Sequence, residues 1–156
     1  MQLIFPPSFL RATALTLAWL AAGPALAQCI AADEASHQTL LGHWQAQFSA
    51  AGQAAPDQAA APTAQAMTAR LELTPHPELA ASVRGRVQRD SGEALLAGDV
   101  DQGDFTLEES INGTNISATW IGQVVPDSCG KEIRGTWTQD TPPLSLSFVL
   151  RKQADR

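Results

Sequence analysis

The sequence predicts an all-β protein, a single eight-stranded antiparallel up-and-down barrel, with a two-sheet β-sandwich as the alternative. Three observations carry this reading. From Leu40 onward apolar residues recur at every second position, not at helical spacing. Turn-forming Gly, Asn, Asp and Pro interrupt that alternation about every ten to fifteen residues. Each run has one apolar face, and closing consecutive hairpins into a barrel buries all those faces and leaves no exposed edge.

The chain opens with "MQLIFPPSFLRATALTLAWLAAGPALAQC". One positive charge, Arg11, precedes an apolar run from Ala12 to Ala22. Gly23-Pro24 breaks that run, and Ala25-Leu26-Ala27 fits the small-x-small pattern of a signal peptidase site. The run is shorter than the ~20 residues of a membrane-spanning helix. Residues 1–27 are therefore expected to be a signal peptide, and the protein to be exported, periplasmic or secreted, with no membrane span. Acylation of Cys29 is the weaker alternative, because Gln28 stands where a lipobox needs a small residue.

Removing the first 27 of 156 residues leaves 129, enough for one domain with one core. Without Arg11, sixteen acidic residues face nine basic ones, a net charge of −7. No basic stripe exists to hold nucleic acid or an anionic membrane surface. The two cysteines, Cys29 and Cys129, form no CxxC pair, and in an oxidising compartment they are expected to bridge. Such a bridge closes a loop of roughly 100 residues, which the chain-entropy account values at about 4 to 5 kcal/mol.

Residues 28–39 form an N-terminal segment with room for one short helical turn in "AADEASHQTLL", and residues 40–153 form the barrel domain. In "GHWQAQF" Trp44, Ala46 and Phe48 share a face. Residues 49–66, an Ala/Gln/Pro tract without periodicity, are expected to be a flexible loop between the first two strands. "MTARLEL" then sets Met67, Ala69, Leu71 and Leu73 on one face, and "ASVRGRVQR" sets Val83, Gly85 and Val87. "EALLAGDV" is a fourth strand of ambiguous phase. "DFTLEESI" aligns Phe105, Leu107 and Ile111; "NISATWIGQVV" aligns Ile116, Ala118, Trp120 and Val124. "KEIRGTWT" aligns Ile133, Gly135 and Trp137 against a solvated face of Glu132, Arg134 and Thr136. "LSLSFVLR" aligns Leu144, Leu146, Phe148 and Leu150, and residues 154–156 are a tail. Among the turns, Asn112-Gly113 carries the strongest type I′ signal.

The opening "LLGHWQAQF", with Gly42 and Trp44 in a G-x-W pattern, resembles the calycin superfamily of barrels: lipocalins, avidins and small bacterial inhibitors of secreted metalloproteases. The eight meandering strands, the long first loop and a basic residue ending the last strand, Arg151, are similar as well. The resemblance implies a binding barrel and an arginine packed over Trp44, although alternation places Arg151 on the outer face with Ser145 and Ser147. It carries no binding site over. Avidin-type biotin sites use a tyrosine, and this chain has none. The inhibitors have an apolar N-terminal arm, where this chain has the polar "QCIAADEASHQ".

Catalytic chemistry has little to stand on. His37, His43 and His76 fall in the N-terminal segment, on a polar strand face and in a "PHP" turn, outside any G-x-S-x-G or HExxH pattern. In "GDVDQGDFTLEE" the third acid is misplaced for a calcium loop, so a hairpin with solvated acids is the plainer reading. No enzyme activity, metal or cofactor is expected. Glu109 is the exception to the pattern: alternation from Phe105 and Leu107 points it inward, where an unpaired carboxylate is costly. It faces an internal arginine or water, sits at the barrel mouth, follows a bulge, or contacts a ligand. Trp44, Trp120 and Trp137 fall on inward faces, either as core or as the lining of a cavity. The expected function is thus a non-catalytic binding protein holding an unknown small apolar or aromatic ligand through Trp44, Trp120, Trp137 and Glu109. The alternative is a protein-binding module, such as an inhibitor of a secreted hydrolase, acting through strand-end loops.

Overall fold

A computed structural model describes residues 29–50 and 67–154. The expected signal peptide, residues 51–66 of the expected loop and the last two residues of the tail lie outside the described residues. Alternation is realised in eight strands: β1 (Gly42–Ala50), β2 (Thr68–Pro75), β3 (Val83–Arg89), β4 (Gly92–Asp101), β5 (Asp104–Ser110), β6 (Ala118–Val124), β7 (Glu132–Asp140) and β8 (Pro143–Lys152). Each pairs antiparallel with the next, and β8 returns to β1 over a register running from Trp44↔Lys152 to Ala50↔Leu146, which closes the barrel. Ser49 and Ala50 belong to β1, not to the loop expected from Ser49, because β8 supplies partners for both.

Inward positions form one core. Trp44, Phe48, Leu71, Val83, Val87, Leu96, Phe105, Leu107, Trp120, Ile133, Phe148 and Leu150 are all buried. The ambiguous fourth strand takes the phase that buries Ala94, Leu96 and Val100 and leaves Leu95 outside. Four residues assigned to apolar faces are instead exposed: Met67, Ile111, Ile116 and Leu144. Met67, Ile111 and Ile116 lie outside the strands and Leu144 is the second residue of β8. All four stand at the same end of the meander, above the level where opposite walls meet. The turn at that end also differs from expectation. Asn112 and Gly113 lie in a wider connection from Ile111 to Ser117, where the Asn112 Oδ1 accepts hydrogen bonds from the Thr114 and Asn115 amides at 2.9 Å. The two-residue hairpin turn with both φ values positive is Gln102-Gly103, between β4 and β5; the longer β6–β7 turn also has positive φ at Asp127, Cys129 and Gly130.

The opposite end is sealed. Two short helical turns, a 3₁₀ turn at Ala32–Glu34 and α1 (His37–Leu40), bring Ala35 and the fully buried Leu40 into the core. The last carbonyls of α1 lack helical partners, as at any helix end. Trp44 Nε1 donates to the Leu40 carbonyl and Lys152 Nζ to the Thr39 carbonyl, each at 2.7 Å. Lys152 Nζ also lies 5.5 Å from the Trp44 ring centroid. The closing role that the resemblance gave to Arg151 therefore falls to its neighbour. Arg151 stays outside, as alternation required, and bonds Glu132 and Gln47. With Arg134 also on Glu132, what the sequence reads as a solvated face is a hydrogen-bonded cluster with Glu132 largely covered. Cys29 and Cys129 are joined by a disulfide, Cα to Cα 4.6 Å, which ties the N-terminal segment to the β6–β7 turn.

Inward glycines on β6 and β7 let these neighbouring strands approach closely. A Cβ on Gly135 would collide with the Ile121 carbonyl, and one on Gly122 with the Arg134 carbonyl. Both obstacles are backbone, so neither can swing aside. Gly135→Ala is expected to lower stability by about 3 kcal/mol, the upper end of overpacking costs. Thr136→Ala, at the exposed neighbouring position, should stay within about 0.5 kcal/mol. Urea midpoints of the two variants check this.

Candidate functional site

Alternation from Val83, Gly85 and Val87 carries Arg89, the last residue of β3, into the barrel; alternation from Phe105 and Leu107 does the same for Glu109 on β5. No bulge intervenes at Glu109, which pairs in regular register with Leu96 and Ala118. The two side chains meet as a bidentate ion pair, Arg89 Nη1 to Oε1 at 2.7 Å and Nη2 to Oε2 at 2.6 Å. Trp120 Nε1 and Trp137 Nε1 donate to the same Oε2 at 3.1 and 3.2 Å. Glu109 is the sole buried polar or charged residue among those described, and its side chain is 4% exposed against 10% for Arg89.

Rings enclose the guanidinium. Its carbon lies 5.3 Å from the Trp137 centroid, 5.6 Å from Trp120 and 5.8 Å from Phe48, within the range where a cation gains from an aromatic face. The rings also pack on one another. Phe48 and Trp120 are 5.2 Å apart, Phe48 and Trp137 5.9 Å, and Trp120 and Phe148 5.0 Å, all tilted or edge-on as ring quadrupoles prefer. A buried ion pair survives only when hydrogen bonds replace the lost water, and here two carboxylate oxygens receive four N–H groups.

Burial by itself would raise the pKa of Glu109. The hydrogen bonds and charge of Arg89, joined by the two indole N–H donors, outweigh it and hold the carboxyl below its ordinary value of 4.5. The group is an ionised acceptor with its lone pairs engaged, the reverse of what a general acid requires. The Arg89 Nε is a buried side-chain nitrogen without a partner.

Of the residues singled out from sequence, the structure brings Glu109, Trp120 and Trp137 together. Trp44 stands apart, near the sealed end under Lys152. Arg89 and Phe48 complete the cluster. Phe48 was on an inward face in the sequence reading, without a role. Arg89 was missed, although one more step of the β3 alternation reaches it. His37 opens α1, His43 lies on the outer face of β1, and His76 accepts the Glu78 and Leu79 amides in the β2–β3 turn. Among the described residues no three His, Cys, Asp or Glu side chains converge as a metal site would need. The acids around Asp101 and Asp104 flank the tight β4–β5 hairpin, where Gln123 Nε2 bonds Asp104.

The sequence matches no protein-family model and no curated protein. Among solved structures, the chain is similar to a redesigned β-barrel at 16% identity, with a TM-score of 0.45, over 76% of this chain and 96% of that one. This is a likeness between small barrels and singles out no calycin family.

Removing one partner strands the other charge in the interior, which costs about 3 to 5 kcal/mol, whereas apolar replacement of both is often neutral or better. Glu109→Gln and Arg89→Met are each expected to fall in that range, and Arg89→Met/Glu109→Leu to recover most of the loss in urea denaturation. The pH dependence follows from the lowered pKa. The ionised form of Glu109 favours folding at all pH values above its unfolded pKa. That contribution is lost as pH falls through the lower folded value. The stability gap between wild type and Glu109→Gln should therefore be constant near neutrality and shrink progressively below about pH 4.5, measured as melting temperatures from pH 7 to pH 3.

Proposed function

We propose that this chain is an exported, non-catalytic binding protein whose recognition end is the barrel mouth over the Arg89–Glu109 pair. An apolar or aromatic small molecule would settle there against Phe48, Trp120 and Trp137. The observation that carries this reading is the difference between the two ends. One end is sealed by α1, Leu40 and the disulfide-tied N-terminal segment. The other holds a rigid aromatic layer, itself buried and polarised by an ion pair, beneath a rim of strand ends. Barrels of this size hold ligands in their mouths. The Cys29–Cys129 disulfide agrees with an oxidising compartment. The full engagement of Glu109 and the distance of every histidine from it in the fold support a site that binds and does not turn over.

A specific observation favours the second reading, a protein partner. The rim carries Met67, Ile111, Ile116 and Leu144, four exposed apolar side chains distributed around one end of the barrel, where a protein surface could cover them together. The tight packing of Trp120 and Trp137 on Phe48 and Phe148 also commits much of the lumen to side chains.

Titration with N-phenyl-1-naphthylamine, an uncharged aromatic probe excited by indole emission, separates the two. The small-ligand reading expects saturable energy transfer at one probe per chain, weakened several-fold by Trp137→Phe and unchanged by Ile111→Asp. Transfer that never saturates, or that disappears with Ile111→Asp alone, excludes a ligand on the aromatic layer and leaves the rim as the binding surface.

A further inference from the structure

A second polar feature lies on the outer wall just below the mouth, and the aromatic layer makes no use of it. Gln45 on β1 is the register partner of Arg70 on β2, which is in turn the register partner of Gln88 on β3. Three outward side chains thus stand abreast at the strand spacing of about 4.8 Å. With Thr68, Arg89 and Asp90 they line a depression of about 370 Å³, large enough for a monosaccharide-sized molecule.

The chemistry of this lining is specific. Arg86, Arg89, Arg134 and Arg151 each hold a carboxylate. Arg70 holds none among the described residues, and its neighbours on both sides are carboxamides. Its fork of donors is shaped for a carboxylate from elsewhere. Gln45 and Gln88 each offer a donor and an acceptor, Thr68 a hydroxyl and Asp90 an acceptor, the set that matches vicinal hydroxyl groups. Arg89, next to Gln88, contributes to the edge of the depression, while its side chain turns inward to Glu109 and takes no part in the site. Arg70, Arg84 and Arg86 face outward from β2 and β3; Glu72 stands among them and Glu93 pairs with Arg86, which leaves Arg70 as the cation at the row.

We infer that the Gln45–Arg70–Gln88 row is a binding site for a small hydroxylated carboxylate of the sugar-acid type. The carboxylate sits on Arg70, and the hydroxyl groups bridge the two carboxamides and Asp90. The site is separate from the aromatic layer and does not depend on what binds there.

The test is a titration of ¹⁵N-labelled protein with D-glucuronate and, in parallel, with D-glucose, followed on the side-chain amides of Gln45 and Gln88 and the Nε–H signal of Arg70. Expected are saturable shifts at these signals with glucuronate and at least tenfold weaker binding of glucose. Arg70→Gln, at an exposed strand position, should remove the preference for the acid, and Glu72→Gln should leave it intact. Equal binding of the two sugars, glucuronate shifts that persist in Arg70→Gln, shifts spread evenly over Arg84 and Arg86, or no shift at the row would each overturn the proposal.

Discussion

The pairing of β8 with β1 is the constraint on which the rest of this structure depends. Seven successive register pairs, from Trp44↔Lys152 to Ala50↔Leu146, turn an eight-stranded meander into a closed cylinder. Closure removes both sheet edges and sends every second residue of every strand into one shared volume. An eight-stranded barrel has an interior just wide enough for side chains to fill. Large rings on one wall must therefore be matched by small residues on another. Trp120 and Trp137 stand opposite each other in register, and the next inward positions below them are Gly122 and Gly135, themselves paired.

The same crowding explains the ion pair. Arg89 and Glu109 are charged and point into the middle of the barrel, and a closed barrel gives them no water to retreat to. Arg89 and Glu109 neutralise each other across β4, and the indoles serve two purposes at once: their faces shield the guanidinium and their N–H groups complete the carboxylate's shell. An apolar core would be no less stable. What the pair adds is orientation, because a bidentate geometry with two further donors holds Phe48, Trp120 and Trp137 in one arrangement. That arrangement gives the mouth a rigid, polarised base.

The two ends of the barrel are made differently. At one, local chain economy seals the cylinder: the segment preceding β1 folds back in two helical turns, Leu40 enters the core, and its freed carbonyls are taken by Trp44 and Lys152. The disulfide from Cys29 to the β6–β7 turn makes that seal covalent. At the other, among the described residues, the β5–β6 connection and apolar residues at strand ends are exposed.

Sequence by itself determined the strands, their antiparallel order and most inward faces, because alternation is a property of extended backbone and hairpin turns need particular residues. Trp44, Trp120, Trp137 and Glu109 were legible as inward on that ground alone, and the two cysteines as partners on grounds of number. Alternation gave no warning of where it ceases to matter: Ile111 and Ile116 obey the phase but lie beyond the last cross-wall contact. Alternation placed Arg151 outside, but that Lys152, one step on, caps Trp44 was decided only where β1 and α1 receive the end of the strand. The Arg89–Glu109 pair shows the division most clearly. Each residue's direction could be read from its own strand, one of them only by extending the pattern a single step. Their meeting could not, because they lie twenty residues apart with a whole strand between them. The distance across a barrel is set by strand tilt and stagger, which exist only once β8 has found β1.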